Sequence, residues 1–193
     1  MPKNNSISIE LFTSAQRGNV IAIRNLLRQG ANPNHAMTDG VTPLYIAAQN
    51  GHTDVVNALL KKGAKVDLKD KNDATALTLA SLIGNTEIVD ALIKHGAKVD
   101  HKASNGFTAL ILAAQNGHTS VIEKLLENSA KIDLQNEDGI TPLMWAALHD
   151  HTDAVKLLLA KGANPKIKSK TEKTALEIAK DPAIIELLQA ATQ

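Results

Sequence analysis

Residues 39–52 read Asp39-Gly40-Val41-Thr42-Pro43-Leu44-Tyr45-Ile46-Ala47-Ala48-Gln49-Asn50-Gly51-His52, and the order of residue types in this stretch decides the fold. Asp39-Gly40 is a turn signal. Thr42 can cap a helix by accepting from a free backbone N–H, and Pro43 suits the first helical position, where no N–H is needed. A short helix is expected through about Asn50, ended by Gly51 in the left-handed conformation. Thr53 and Asp54 then open a second helix. Its apolar residues Val55, Val56, Leu59 and Leu60 recur at helical spacing, with Asn57, Lys61 and Lys62 on the other side. Gly63 closes it. Ala64 to Lys69 is too short and polar for another helix and is expected to run outward into a hairpin-like turn with Asp70 to Asp73.

The same unit recurs along the whole chain with a period of about 33 residues. Ile9, Thr42, Thr75, Thr108, Thr141 and Thr174 mark one series, and Leu11, Leu44, Leu77, Leu110, Leu143 and Leu176 a second in the same register. Gly18, Gly51, Gly84 and Gly117 form a third, with Gly30, Gly63, Gly96 and Gly162 beside it. Leu27, Leu60, Ile93, Leu126 and Leu159 give a further apolar series. Such coincidence predicts a stacked repeat array, in which burial accumulates between neighbouring repeats and there is no single central core.

Composition agrees with thin helical layers: hydrophobic residues make up 44% of the 193-residue chain but aromatics only 2%. Lys and Arg total 21 against 20 for Asp and Glu, so no field of one sign would draw nucleic acid or anionic membranes from a distance. With no cysteine there are no disulfides, thiolate nucleophiles or Cys-type zinc sites. Residues 1–10 lack an apolar signal-peptide core, and no run of about 18 apolar residues occurs. A soluble chain folded in the cytoplasm is expected, with no membrane association. The sequence leaves delivery into a host cell open.

Asp39-Gly40-Val41-Thr42-Pro43-Leu44, Ala47-Ala48, Asn50-Gly51-His52, Leu59-Leu60 and Gly63-Ala64 together resemble the ankyrin repeat. Asp138-Gly139-Ile140-Thr141-Pro142-Leu143 repeats the opening, and Gln115-Asn116-Gly117-His118 the central turn. The resemblance covers roughly residues 8–190. It implies an all-α solenoid of helix-turn-helix pairs with β-hairpin-like loops, forming one domain. Its expected repeats are 1–38 as an N-terminal cap, 39–71, 72–104, 105–137, 138–170, and 171–193 as a truncated C-terminal cap. The family usually carries a His after Pro-Leu that bonds the motif's Thr. Here Tyr45, Thr78, Ile111, Met144 and Glu177 stand in that place, so that polar tie is expected to be missing. At the Gly positions Ser129 and Asp150 intervene; Asp tolerates the left-handed region moderately and Ser less well, which marks the fourth repeat, with Ser129, as a weak point.

One cluster looks chemical: His149, Asp150, His151 and Asp153 could together hold Zn or Ni. The same positions form the repeat's central turn, as Asn50 to Asp54 do, and a structural role is the preferred reading, extending to His52 and His118. No cofactor and no catalysis are expected. Lys65, Lys98 and Lys131, with Lys69, Lys102 and Lys168 near the tips, could line one edge. Asp67, Asp100 and Asp133 accompany them, which makes nucleic acid an unfavoured ligand.

The more informative residues lie where repeats differ. In the family, tips and first helices make a concave binding face, and the matching positions here include Val41, Tyr45, Leu82, Ile83, Phe107, Ile111, Ile140, Met144 and Leu148. Leu82-Ile83 replaces Gln49-Asn50 and Gln115-Asn116 of its neighbours. Thr38, Asp39, Asn72, Glu137 and His149, with those Gln and Asn residues, form a polar surround. Trp145 aligns with Ile46, Leu79 and Leu112 and is expected in the core. The resulting expectation is a non-catalytic module, monomeric when unbound, that binds another protein through this apolar patch. A regulatory or inhibitory subunit masking a partner enzyme is the alternative, and a metal-binding or enzymatic protein the less favoured one.

Overall fold

A computed structural model describes residues 2–193. Among them are twelve helices and no strands, and the helices follow one another as six pairs. The pairs are α1 (Pro2–Gln16) with α2 (Val20–Arg28), α3 (Pro43–Gln49) with α4 (Thr53–Leu60), α5 (Ala76–Ile83) with α6 (Thr86–Lys94), α7 (Ala109–Gln115) with α8 (Thr119–Glu127), α9 (Pro142–Leu148) with α10 (Thr152–Ala160), and α11 (Ala175–Ile178) with α12 (Pro182–Thr192). The sixth pair is shortened only in its first helix, since α12 spans 11 residues.

The chain divides into two compact units, 1–80 with 87–98 and 81–86 with 99–193, so the division falls inside the third repeat. In the first unit α1 packs on α3 and α2 on α4. In the second, α7, α9 and α11 form one layer and α8, α10 and α12 the other, each pair packing on the next. The Leu series at 11, 44, 77, 110 and 143 is at most 2% exposed, as its strict period demands. In the second helix of the second repeat Val55, Val56, Leu59 and Leu60 form the expected buried stripe, and across the repeats one column is buried more deeply than the next. Leu26, Leu59, Leu92, Leu125 and Leu158 are buried, whereas Leu27, Ile93, Leu126 and Leu159 are half-buried and only Leu60 is closed off.

First helices of the internal repeats start as their sequence dictates. Thr42, Thr108 and Thr141 accept from the N–H of Tyr45, Ile111 and Met144 at 3.2 Å, and Pro43 and Pro142 occupy the first turn. The tips close on themselves: Asp70, Asn136 and Ser169 donate their N–H to the carbonyls of Ala74, Ile140 and Lys173. Neighbouring tips are then linked by single backbone bonds, Lys71 N–H to Asp39 O and Lys170 N–H to Asp138 O.

Side-chain ties between repeats take the place of the absent His–Thr bond. His52, His118 and His151 precede α4, α8 and α10, and each Nε2 lies 2.9–3.1 Å from a carbonyl of the previous repeat, that of Gln16, Leu82 or Gln115. Asn34, Asp67, Asp100 and Asp133 accept the backbone N–H of Lys65, Lys98, Lys131 and Asn164 in the next repeat. The carboxylates beside the lysines therefore serve as repeat-to-repeat acceptors. The residue after Pro-Leu also keeps a polar role at three positions. Tyr45 Oη donates to Asp70 Oδ2 at 3.1 Å, Thr78 Oγ1 donates to Thr75 O at 2.7 Å, and Glu177 completes a capping box with Thr174.

Candidate protein-binding face

The last turn of each first helix carries the residues that differ most from repeat to repeat. Gln49 and Asn50 are exposed there in α3, and Asn116 follows α7 as an exposed side chain, with Gln115 half-buried. At the same positions stand Leu82, Ile83 and Leu148, which are 37%, 39% and 38% exposed. Large apolar side chains thus face solvent at a site where neighbouring repeats place amides.

Tyr45, Ile111 and Met144, expected on the open face, are buried instead, with Ile111 at 0% and Met144 at 1%. Each sits three residues after its capping Thr, and Thr78 at the same place is equally enclosed. The position belongs to the packed interior of the first-helix layer. Burial and the nearby Asp70 carboxylate raise the Tyr45 phenol well above its ordinary pKa of 10.0.

Trp145, expected in the core, departs in the opposite direction. It is half-buried, and it joins Phe107 to His149 in a run of rings within the second unit. The Phe107 and Trp145 centroids are 5.5 Å apart and tilted by 45°, and Trp145 stacks on His149 at 5.4 Å with an angle of 15°. His149 continues to His151 at 6.2 Å. The Trp145 Nε1 atom is sequestered without a hydrogen-bond partner. Two sequence signals pointed here: this is the only Trp of the chain, and Trp145 and His149 are four residues apart, one helical turn.

The remaining candidates divide by use. Asn50 donates to Gln16 O at 2.9 Å and Asn116 to Leu112 O at 2.8 Å, while Asn72 folds onto Asp70. Asp39 accepts from Val41 N–H within its own tip. Glu137 is exposed on its tip, whereas Phe107 and Ile140 are half-buried. In the His149 to Asp153 cluster, His151 is committed to Gln115 O and Asp153 lies 3.7 Å from Lys156. No group of three or more His, Asp and Glu side chains converges as metal ligands among the described residues. No helix of the described residues is long and apolar enough to cross a membrane.

The family model for ankyrin repeats matches three times, over residues 10–70, 64–136 and 128–192. No curated protein matches the chain.

Proposed function

Because this chain belongs to the ankyrin-repeat family, whose repeats are generally protein–protein interaction modules and typically non-catalytic, we propose that it binds a partner protein on the concave face implied by family geometry. One observation carries the placement. Of the five exposed large hydrophobics among the described residues, Leu82 and Leu148 share one position in the repeat and Ile83 stands at the next, all at the end of the first helix. The Phe107–Trp145–His149 ring run supplies a preformed aromatic surface of the kind that dominates interface energetics. Gln115, Asn116 and Glu137 make the polar rim, and the fixed backbone of the tips reduces the entropy lost on binding. The chain acts without catalysis, as an interaction module rather than as an enzyme.

The test uses a photo-crosslinking residue at position 148 to capture the partner from lysate. Phe107→Ala and Leu82→Ser should lose the captured band while the circular-dichroism spectrum stays unchanged. Capture that survives both substitutions removes this face from consideration. Co-purification of one stoichiometric enzyme, inhibited on binding, would identify the module as a regulatory subunit.

A further inference from the structure

In the first unit, α2 and α4 flank an open cleft of about 590 Å³, lined by Arg24, Leu27, Arg28, Asp54, Asn57, Ala58, Lys61 and Lys62. Four cations against one carboxylate leave an excess of three positive charges here, in a chain whose net charge is +1. Every ion pair among the described residues lies elsewhere, at Lys69, Lys94, Lys124, Lys156, Lys161 and Lys168. The cleft cations are all exposed, and the one side-chain bond among them is Arg28 to Asn25.

The scaffold does not require this charge. Three periods downstream, Glu123 and Glu127 stand where Arg24 and Arg28 do. There Glu123 pairs with Lys161 and Glu127 with Lys124, so the equivalent groove neutralises itself. Between the charges the lining holds the half-buried Leu27 and Ala58 beside Asn57, which gives the cleft an apolar component. Ile21, 71% exposed, lies three residues before Arg24, seven before Arg28, and so on the same side of α2.

We propose that this cleft binds an acidic peptide segment of a partner protein, with carboxylates against Arg24, Arg28, Lys61 and Lys62 and apolar side chains over Leu27, Ala58 and Ile21. Charge complementarity selects the sign of the ligand. Leu27, Ala58 and the nearby Ile21 favour a peptide over a bare phosphate or a polyanion, which would have no use for them. The cleft volume falls in the range of sites that hold a few side chains. This surface lies on the second helices of the first unit and shares no residue with the Trp145 face.

The probe is a fluorescein-labelled peptide of alternating glutamate pairs and leucines, titrated with the full chain by fluorescence anisotropy. Saturable binding is expected, weakened by roughly tenfold or more in Arg24→Glu/Lys61→Glu and by added salt. It should be unaffected in Lys94→Glu/Lys156→Glu, and weakened when serine replaces leucine in the peptide. Circular dichroism of each variant controls for folding. Absence of binding, or equal binding by the charge-reversed cleft, overturns the proposal. So does preferential binding of heparin or of phosphatidylserine vesicles over the peptide. Crosslinking at position 148 should be unchanged by the cleft variants, which separates failure here from failure of the concave-face reading.

Discussion

Tyr45 is the only tyrosine in the chain, and its hydroxyl joins α3 to the next tip through Asp70. Asp70 Oδ1 also accepts from Asn72 and Ala74 at 2.9 and 2.8 Å, so the phenol donates into a carboxylate that already organises a turn. Tyr45→Phe should cost about 1.5 kcal/mol, the lower end for a hydrogen bond to a charged group because Asp70 is partly exposed. Since burial first and Asp70 second raise the folded-state pKa above the unfolded value of 10.0, the contribution is complete below pH 10.0 and fades above it. Tyrosinate absorbance should therefore appear together with loss of ellipticity; an independent titration at the ordinary phenol pKa would show that the site is open. Ser129 makes the opposite case. Its φ of 64° is the left-handed conformation that Gly30, Gly63, Gly96 and Gly162 adopt at the same place in the repeat. Ser129→Gly relieves about 1–2 kcal/mol of backbone strain and returns about 0.5–1 kcal/mol as unfolded-chain entropy. A small rise in thermal midpoint is expected, and a fall would contradict the strain argument.

At the scale of elements, a glycine's cost of replacement depends on what the next repeat puts beside it. A Cβ on Gly96 meets nothing within 4 Å, whereas one on Gly84 would lie 2.6 Å from His118 Nδ1. Gly96→Ala should cost about 1 kcal/mol from φ alone. Gly84→Ala must also displace the ring that binds Leu82 O, adding roughly 1–2 kcal/mol, so its denaturation midpoint should fall clearly further. Equal midpoints would mean that the histidine tie contributes nothing. Helix α11 depends on its cap more heavily, having only four residues. Glu177 accepts from the Thr174 N–H at 2.7 Å and from its hydroxyl at 2.9 Å, and those bonds, the backbone one first, lower its pKa below 4.5. A depressed carboxylate stabilises the fold above its unfolded pKa and loses that effect as pH falls through the folded value. Glu177→Gln should flatten the acid limb of the thermal midpoint below pH 4.5, and an unchanged limb would show that the box does not titrate with unfolding.

Across the whole molecule, the periodic residues and the functional candidates were legible to different degrees for a physical reason. Thr42, Leu44, Gly51 and Leu59 perform local tasks, capping, packing and turning, that each repeat must solve alike, so their period reads directly as helix pairs. The half-buried state of Trp145 and the enclosure of Met144 depend on rotation of a helix by a fraction of a turn, which period alone does not specify. The Asn34, Asp67, Asp100 and Asp133 ties were visible as a series but not as acceptors, because their donors are backbone groups of the following repeat. In an array of this kind each repeat is stabilised by its neighbours only, so damage should stay local. Removing residues 171–193 deletes α11 and α12 and uncovers the layer that Ala175, Ile184 and Leu188 bury against α9 and α10. Three lost apolar contacts at roughly 1–3 kcal/mol each should lower the melting midpoint by many degrees and raise binding of a hydrophobic dye. Helical ellipticity should fall only by the share of α11 and α12, which have 4 and 11 residues. Ile184→Ser/Leu188→Ser in the full chain should reproduce the dye signal with less loss of helix. Collapse of the entire far-ultraviolet spectrum on truncation would instead require a single cooperative core, and would overturn the neighbour-by-neighbour account of stability.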